Sequence, residues 1–271
     1  MAAVVPIDDP ADPRVSDYLR LTDPDLRRRR EQGEGDGGFF IAEGLGVIRQ
    51  LLRAPYRVRS LLLTPARLEA LEAELAGVDA PVYVGAPEVV NGVTGFHLHR
   101  GAVASAHREP LPDALGLAGA ADLVVAAEGV NDHENLGALF RNAAAFATGA
   151  FLLDPTTADP LYRRSIRVSM GQVLHVPFAR ARPWPEALAQ LQHLGFEVLA
   201  LAPAPGGVDV REVEPRPRQV VLVGAEGPGL SRSALAVADR RVRIPLAVGV
   251  DSLNVATAAA VALHHLSRVT D

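Results

Sequence analysis

Short apolar segments alternate with helix-like segments through the second half of the sequence. Strands are predicted at residues 123–127, 151–153, 174–177, 196–201, 220–223 and 242–244. Helical patterns fall at residues 136–147, 184–194, 231–238 and 253–266. Apolar strands of this length are typically buried on both faces, and the helices provide the crossovers that parallel strands require. The alternation therefore predicts an α/β domain with a parallel sheet, in which ligands bind beyond the carboxyl ends of the strands.

The first half of the sequence predicts a smaller α/β unit. Helical patterns at residues 44–52, 65–75 and 87–91 alternate with strand-like segments at 58–64 and 82–84. A stretch rich in Pro, Gly and Ala, residues 107–122, separates this unit from the second half. We therefore expect a domain over residues 1–108 that includes an N-terminal arm, a linker over 109–121, and a larger domain over 122–271.

Composition limits the chemistry and the partners. The chain has no cysteine, which excludes disulfides, thiolate catalysis and cysteine-based metal sites, and no metal site is predicted. No apolar run reaches the roughly 18 residues that span a bilayer, and the N-terminus lacks the basic start of a signal peptide. We therefore expect a cytoplasmic protein with no membrane partner.

All 27 basic residues are arginine, and the formal net charge is −5. This balance argues against wholesale wrapping of nucleic acid, so any nucleic-acid contact would need a local patch. Two arginine clusters are candidates, and each could instead be a solvated helix end or face: Arg27, Arg28, Arg29 and Arg30, and then Arg163, Arg164 and Arg167.

The segment NDHENLGALFRNAAAFA, residues 131–147, follows the first strand of the second half. Asn135 is predicted to cap the helix, because its side chain can accept a hydrogen bond from an early helix amide. Arg141 shares a stripe with alanines, so no bulky neighbour competes with its guanidinium. Taken alone, the segment is equally compatible with a capped helix that carries a surface arginine.

Residues 131–147 are predicted to form a strand-to-helix loop and helix, here called a corner. Two further corners carry glycine or asparagine at the end of a strand. In VVLVGAEGPGLS, residues 220–231, glycines would let a ligand approach the backbone, and Ser231 can cap the next helix. In RIPLAVGVDSLNVATAAAVALHH, residues 243–265, Ser252 and Asn254 precede an alanine-rich helix. Ordinary turns and caps would explain each corner by itself.

Together and in this order, the three corners resemble the three motifs of the SpoU (TrmH) branch of the SPOUT RNA methyltransferases. The resemblance covers about residues 123–266, and Ala225 departs from it because many relatives carry asparagine there. The matching residues are Asn135, Gly137 and Arg141; Gly224, Glu226, Gly227 and Gly229; and Ile244, Pro245, Ser252, Leu253 and Asn254.

The resemblance implies a trefoil-knotted domain that transfers a methyl group from S-adenosylmethionine, its co-substrate, to a ribose 2′-hydroxyl, and that works as a homodimer. It implies a catalytic set formed by Arg141, Asn135, Glu226, Ser252 and Asn254. It also implies a donor-binding set formed by Leu201, Gly224, Glu226, Gly227, Ile244 and Leu253. Because a guanidinium resists deprotonation, we expect Arg141 to clamp an RNA phosphate and stabilise the developing alkoxide.

In the first half, FFIAEGLGVIRQLL and HRGAVASAH resemble an L30-like substrate-binding domain, which implies RNA recognition. An added RNA-binding domain favours a large structured RNA, so ribosomal RNA is preferred to transfer RNA as substrate. The alternatives are a tRNA 2′-O-methyltransferase, a non-catalytic RNA-binding or ribosome-assembly protein and, more distantly, a nucleotide-binding oxidoreductase.

Overall fold

The computed structural model describes residues 3–19, 21, 38–95, 101–203 and 206–269. Its contacts group the chain into two compact units. Unit 1 comprises Met1–Pro110 and Leu161–Leu174, and unit 2 comprises Leu111–Pro160 and His175–Asp271. The predicted RNA-binding cluster at residues 27–30 lies outside the described residues. Residues 161–174, expected in the C-terminal domain, group with unit 1.

In the described part of unit 1, five strands form one mixed sheet in the order β1-β4-β3-β5-β2. The strands are β1 Val4–Pro6, β2 Phe39–Glu43, β3 Val58–Leu63, β4 Val82–Val84 and β5 Ala102–His107. A 3₁₀ helix covers Pro13–Tyr18, and the α-helices are α1 Leu45–Arg53, α2 Pro65–Glu69, α3 Glu72–Leu75 and α4 Pro87–Thr94. The single helix predicted over 65–75 is therefore two short helices, between which Leu71 is fully buried.

The segment Leu161–Leu174 packs on β2 and α1 within unit 1. It contains helix α7, Arg163–Val168, and a 3₁₀ turn, Gln172–Leu174. Gly171 between them has φ +81°, and a Cβ there would lie 2.8 Å from Cβ of Gln50. The segment thus approaches α1 so closely, with a left-handed backbone, that glycine is required.

The strand predicted over residues 174–177 is wrong. Leu174 ends the 3₁₀ turn and groups with unit 1, and the strand is β8, Phe178–Arg180. Leu174 and Val176 are both buried and spaced as in a strand, but Leu174 belongs to unit 1 and Val176 to unit 2.

Unit 2 is built on a parallel sheet, as predicted. Over the residues that the structure describes, its strands follow the order β10-β12-β9-β11-β6-β7-β8, and every neighbouring pair is parallel. In addition to β8, the strands are β6 Leu123–Glu128, β7 Ala150–Leu153, β9 Glu197–Leu201, β10 Val208–Asp209, β11 Gln219–Gly224 and β12 Arg240–Arg243. The helices are α5 Ala114–Gly119, α6 His133–Ala145, α8 Glu186–His193, α9 Arg232–Val237 and α10 Val255–Leu266.

Helix α5 lies inside the segment 109–121 that was expected to be a linker. Ala114 and Ala118 are buried in a core cluster with Leu188 and Leu191 of α8, so this segment is packed into unit 2. The stretch was assigned to a linker because it is rich in Pro, Gly and Ala, but its alanines are small enough to let α5 pack into the core.

Helix α6 is held on the sheet by aromatic packing. Phe140 stacks on Phe151 of β7 with ring centroids 4.1 Å apart, and meets Phe178 of β8 edge-on at 5.7 Å. Large buried aromatic contacts of this kind stabilise an element strongly. They fix the helix that carries Asn135 and Arg141 relative to the ends of the strands.

Candidate active site

A glycine turn, residues 224–230, follows β11 at the carboxyl edge of the sheet in unit 2. The backbone N–H of Gly229 donates to the carbonyl of Ala225 at 3.0 Å, which closes the turn on itself. A Cβ on Gly224 would lie 2.4 Å from the carbonyl carbon of Gly229 and 2.5 Å from the nitrogen of Leu230. The two arms of the turn therefore meet at a distance that only glycine permits.

The side chain of Asn254 connects all three predicted motifs. Its Oδ1 accepts hydrogen bonds from the backbone N–H groups of Ala256 and Thr257, at 2.9 and 3.2 Å, and so caps α10. Its Nδ2 donates to Oδ1 of Asn135 at 2.7 Å and to Oε1 of Glu226 at 2.8 Å. Because the cap fixes Oδ1 as an acceptor, the amide must present its donors to the other two motifs. Three corners that are distant in sequence thus share one hydrogen-bonded centre.

Asn135 was expected to be the N-cap of α6, and that prediction is wrong. The N-cap is Asp132, whose Oδ1 accepts from the backbone N–H groups of Glu134 and Asn135 at 2.8 and 2.9 Å. Both residue types are good caps, and the carboxylate three positions earlier starts the helix. Asn135 lies in the first turn, where its side chain meets Asn254 instead of a helix amide.

A cavity of about 690 Å³, here called the donor cavity, opens beside this centre. Part of its wall is apolar and is formed by Leu246, Val242 and Val255. The predicted catalytic residues Ser252 and Asn254 also line it. All six residues predicted to bind the methyl donor lie in its wall: Leu201, Gly224, Glu226, Gly227, Ile244 and Leu253.

Arg141 stands apart from this cluster. It is exposed. Since each helical residue turns the chain by roughly 100°, Arg141 lies about 240° around the axis of α6 from Asn135. Asn142 lies within about 20° of Asn135 on the same count. Its Nδ2 donates to the carbonyl of Ala256 at 2.7 Å, which ties α6 to the first turn of α10. Arg141 therefore lies on a fixed helix, on a different face from Asn135, and is not among the residues that line the donor cavity of its own chain.

One side chain that the sequence did not single out also shapes this edge of the sheet. Glu128, at the end of β6, accepts from the backbone N–H and hydroxyl of Ser231, at 2.8 and 2.7 Å, and from Nε1 of Trp184 at 2.8 Å. It anchors the far end of the glycine turn. The feature of the sequence that could have pointed to Glu128 as a site residue is its position, as an acidic residue at the carboxyl end of an apolar strand.

The second predicted RNA-binding cluster lies on α7 in unit 1. Arg164 and Arg167 are exposed, whereas the side chain of Arg163 is only 19% exposed and lies 3.6 Å from Glu43. The ion pair gives Arg163 a role within unit 1, and the other two form the accessible part of the patch.

Within the described residues, no group of three or more His, Cys, Asp or Glu side chains could hold a metal ion. No described helix combines the length and the apolar character needed to cross a bilayer.

Comparison with known proteins identifies the family. The SpoU rRNA Methylase family model matches residues 122–264. An uncharacterized tRNA/rRNA methyltransferase of Mycobacterium tuberculosis is 45% identical over 96% of this chain and 90% of its own length. The crystal structure of an AdoMet-bound rRNA methyltransferase from Sinorhizobium meliloti is 26% identical, with a TM-score of 0.77 and 97% of each chain covered. The SpoU methyltransferase AviRb from Streptomyces viridochromogenes shares the fold at 21% identity, with a TM-score of 0.74 over 93% of this chain and 95% of its own.

The family model covers more than half of the chain, and the mycobacterial relative aligns with nearly all of it. The resemblance predicted from the three motifs and the predicted parallel-sheet fold are both confirmed. By these matches and by the arrangement of its three motifs, the chain belongs to the SpoU rRNA methylase family.

Proposed function

We propose that this protein transfers a methyl group from S-adenosylmethionine to a ribose 2′-hydroxyl of a structured RNA, with ribosomal RNA favoured over transfer RNA. The observation that carries the proposal is the hydrogen-bonded centre of Asn135, Glu226 and Asn254 at the wall of the donor cavity. The relative from Sinorhizobium meliloti, whose structure contains AdoMet, supports the identity of the donor.

The donor cavity suits such a ligand in size and chemistry. Its volume of about 690 Å³ lies within the range of roughly 300–1,000 Å³ usual for small-molecule sites. The glycine turn brings main-chain groups to the wall, so adenine and amino-acid groups can be held by backbone donors and acceptors. Leu246 and Leu253 add an apolar wall, which favours a sulfonium that loses its charge during transfer.

When bound, S-adenosylmethionine supplies an electrophilic methyl group: the S–CH₃ bond breaks to leave a neutral thioether, an O–CH₃ bond forms at the ribose, and the hydroxyl proton passes to a phosphate or a water. Asn254 and Glu226 would hold the loops that position donor and ribose, and Asn135 would orient the acceptor side. Ser252, in the same wall, would hold the third loop. These roles derive from the contacts and from the family resemblance.

Arg141 would stabilise the developing alkoxide and grip the adjacent RNA phosphate, because its guanidinium is a fixed bidentate cation and a very poor base. Its exposure, and its absence from the lining of the donor cavity of its own chain, support a role toward a second subunit. We therefore propose a homodimer in which each Arg141 serves the partner's donor cavity. The trefoil knot and the L30-like nature of unit 1 stay predictions that accompany this function.

The test measures the transfer of an isotope-labelled methyl group from S-adenosylmethionine to cellular RNA. Purified wild-type protein is compared with Arg141→Ala. We expect the variant to bind S-adenosylhomocysteine as the wild type does, but to lose about 10²–10³-fold in methylation rate, as when a group that stabilises developing charge is removed. Arg182→Ala, at another exposed arginine of unit 2, is the matched control and should retain activity.

Normal turnover by Arg141→Ala would contradict the role assigned to this residue. RNA binding without any methyl incorporation by the wild type would favour the non-catalytic alternative. Mapping of ribose-protected nucleotides in RNA from cells with and without the protein would identify the RNA and so decide between ribosomal and transfer RNA.

A further inference from the structure

We propose that a second cavity in unit 2 receives the base of the nucleotide whose ribose is methylated and leaves the phosphates outside. This inference rests on the proposed function. The acceptor cavity, as we name it, has a volume of about 680 Å³ and lies at the carboxyl ends of β6, β7 and β11. It is lined by residues of the loop after β6, by Asp154 and Thr156 after β7, and by the glycine turn.

The acceptor cavity and the donor cavity share one wall. Ala225, Glu226, Gly229 and Leu230 line both of them. Methyl transfer requires the reacting atoms to approach within roughly 3–3.5 Å in a defined line, so donor and acceptor must meet at a common boundary. The glycine turn is such a boundary, since it presents one side to each cavity.

The hydrogen-bonded centre of the site lies across this boundary. Asn135 lines the acceptor cavity, Asn254 lines the donor cavity, and Glu226 lines both. The bonds of 2.7 and 2.8 Å that join them therefore run from one cavity to the other. A ribose that reaches this centre from the acceptor side would place its 2′-hydroxyl beside the donor methyl group, with the attached base in the acceptor cavity.

Hydrogen bonds of Asp154 fix the wall of the acceptor cavity that follows β7. Asp154 Oδ1 accepts from the backbone N–H groups of Gly129 and Thr157, at 3.0 and 2.7 Å, and its Oδ2 accepts from the hydroxyl of Thr156 at 2.6 Å. Burial raises the pKa of Asp154, but these hydrogen bonds outweigh burial and leave the pKa below its ordinary value. Together with the three bonds that Glu128 accepts, they give a pre-formed wall of fixed shape.

The charge of the cavity decides which part of a nucleotide enters it. Its lining includes the carboxylates of Glu128, Asp132, Asp154 and Glu226, and none of the described lining residues is basic. A phosphate would be repelled by these groups, whereas a neutral base would not. Unpaired nucleotides in RNA loops can present such a base splayed out of its stack.

The experiment uses the full chain and changes Asn131, an exposed residue that lines only the acceptor cavity of the two. Asn131→Trp should fill the cavity and lower kcat/KM for RNA at least 30-fold, while affinity for S-adenosylhomocysteine stays within twofold. Asn131→Arg should also lower methylation, because it blocks the base. Gln190→Trp, at an exposed position of α8, is the matched control and should behave as the wild type.

Unchanged S-adenosylhomocysteine affinity also reports that each variant is folded. The inference would be overturned by normal RNA methylation with Asn131→Trp, or by tighter RNA binding and faster methylation with Asn131→Arg, which would show a phosphate in the cavity. Failure of the proposed function would show differently, as absence of methyl incorporation by the wild type itself, and the acceptor cavity would then be rejected with it.

Discussion

Replacing Gly224 with alanine should damage both the stability of unit 2 and its binding of the methyl donor. The added Cβ would lie 2.4, 2.5 and 2.7 Å from three backbone atoms of Gly229 and Leu230. Because ordinary contact begins near 3.4 Å, the second arm of the glycine turn must move by about 1 Å, and no rotamer change can relieve a clash with backbone.

The size of the effect follows from what that movement breaks. The bond from Gly229 N–H to the carbonyl of Ala225 and the bond from Ser231 N–H to Glu128 both depend on the arm that moves. Each such bond contributes about 0.5–1.5 kcal/mol net, and overpacking costs a further 1–3 kcal/mol. We therefore expect the free energy of unfolding to fall by about 2–6 kcal/mol. A displacement of about 1 Å in the cavity wall should weaken donor binding, and it should lower the rate of methyl transfer by on the order of 10²-fold.

Two measurements check this prediction. Urea unfolding can be followed by the fluorescence of Trp184, the single tryptophan of the chain, and calorimetry with S-adenosylhomocysteine gives donor-site affinity. Gly119→Ala is the matched control: a Cβ there meets no atom within 4 Å, and the change should alter stability by no more than about 1 kcal/mol. Gly227→Ala has the same open space but φ +84°, so it should show only the backbone strain of about 1–2 kcal/mol. A Gly224→Ala variant as stable as Gly119→Ala, with wild-type donor affinity, would refute the reasoning.

Three further outcomes are expected. Asn254→Asp keeps the helix cap but loses both side-chain donors, so it should abolish most methyl transfer. Its loss of stability should be smaller than that of Asn254→Ala, which also loses the cap at about 1 kcal/mol. Equal turnover of Asn254→Asp and wild type would contradict the role of Asn254 in joining the three motifs. Burial raises the pKa of Tyr18 above its ordinary value near 10, so the stabilising contribution of the protonated phenol is complete below that pH. Above it, the free energy of unfolding should fall by up to about 1.4 kcal/mol per pH unit. Urea unfolding between pH 9 and 11 should show this slope, and Tyr18→Phe should reduce the slope. If Arg164 and Arg167 both contact phosphate, the double change Arg164→Ala and Arg167→Ala should reduce the slope of log RNA affinity against log salt concentration by about 1–2. Filter binding measures this slope, and an unchanged slope would mean that α7 is a solvated face.

Much of unit 2 could be predicted because its strands are short and apolar and its turns carry glycine. The parallel sheet, the Ser231 cap of α9 and the Asn254 cap of α10 follow from such local preferences, and each is present in the structure. The six residues assigned to donor binding were predicted from the family resemblance, and one cavity contains them all.

The remaining features depend on tertiary packing that local patterns do not encode. Asp132 and Asn135 are both good caps, and only the contact of Asn135 with Asn254 shows which one starts α6. The spacing of Leu174 and Val176 suits a strand, but the segment that ends at Leu174 packs in unit 1, where Gly171 closely approaches Gln50. Nothing local to Glu128 indicates that its carboxylate holds Ser231, which lies 103 residues later.

The excursion of residues 161–174 into unit 1 also affects the order in which the chain can fold during synthesis. The sheet of unit 1 ends with β5 at His107, yet Ile166 and Val173, which are fully buried, come from a segment made more than 50 residues later. As the ribosome releases the chain, β6 and β7 of unit 2 emerge before unit 1 has received its last packing element. A nascent chain stopped at residue 110 would thus expose the apolar surface of β2 and α1 that this segment covers, and neither unit can be completed strictly before the other has begun.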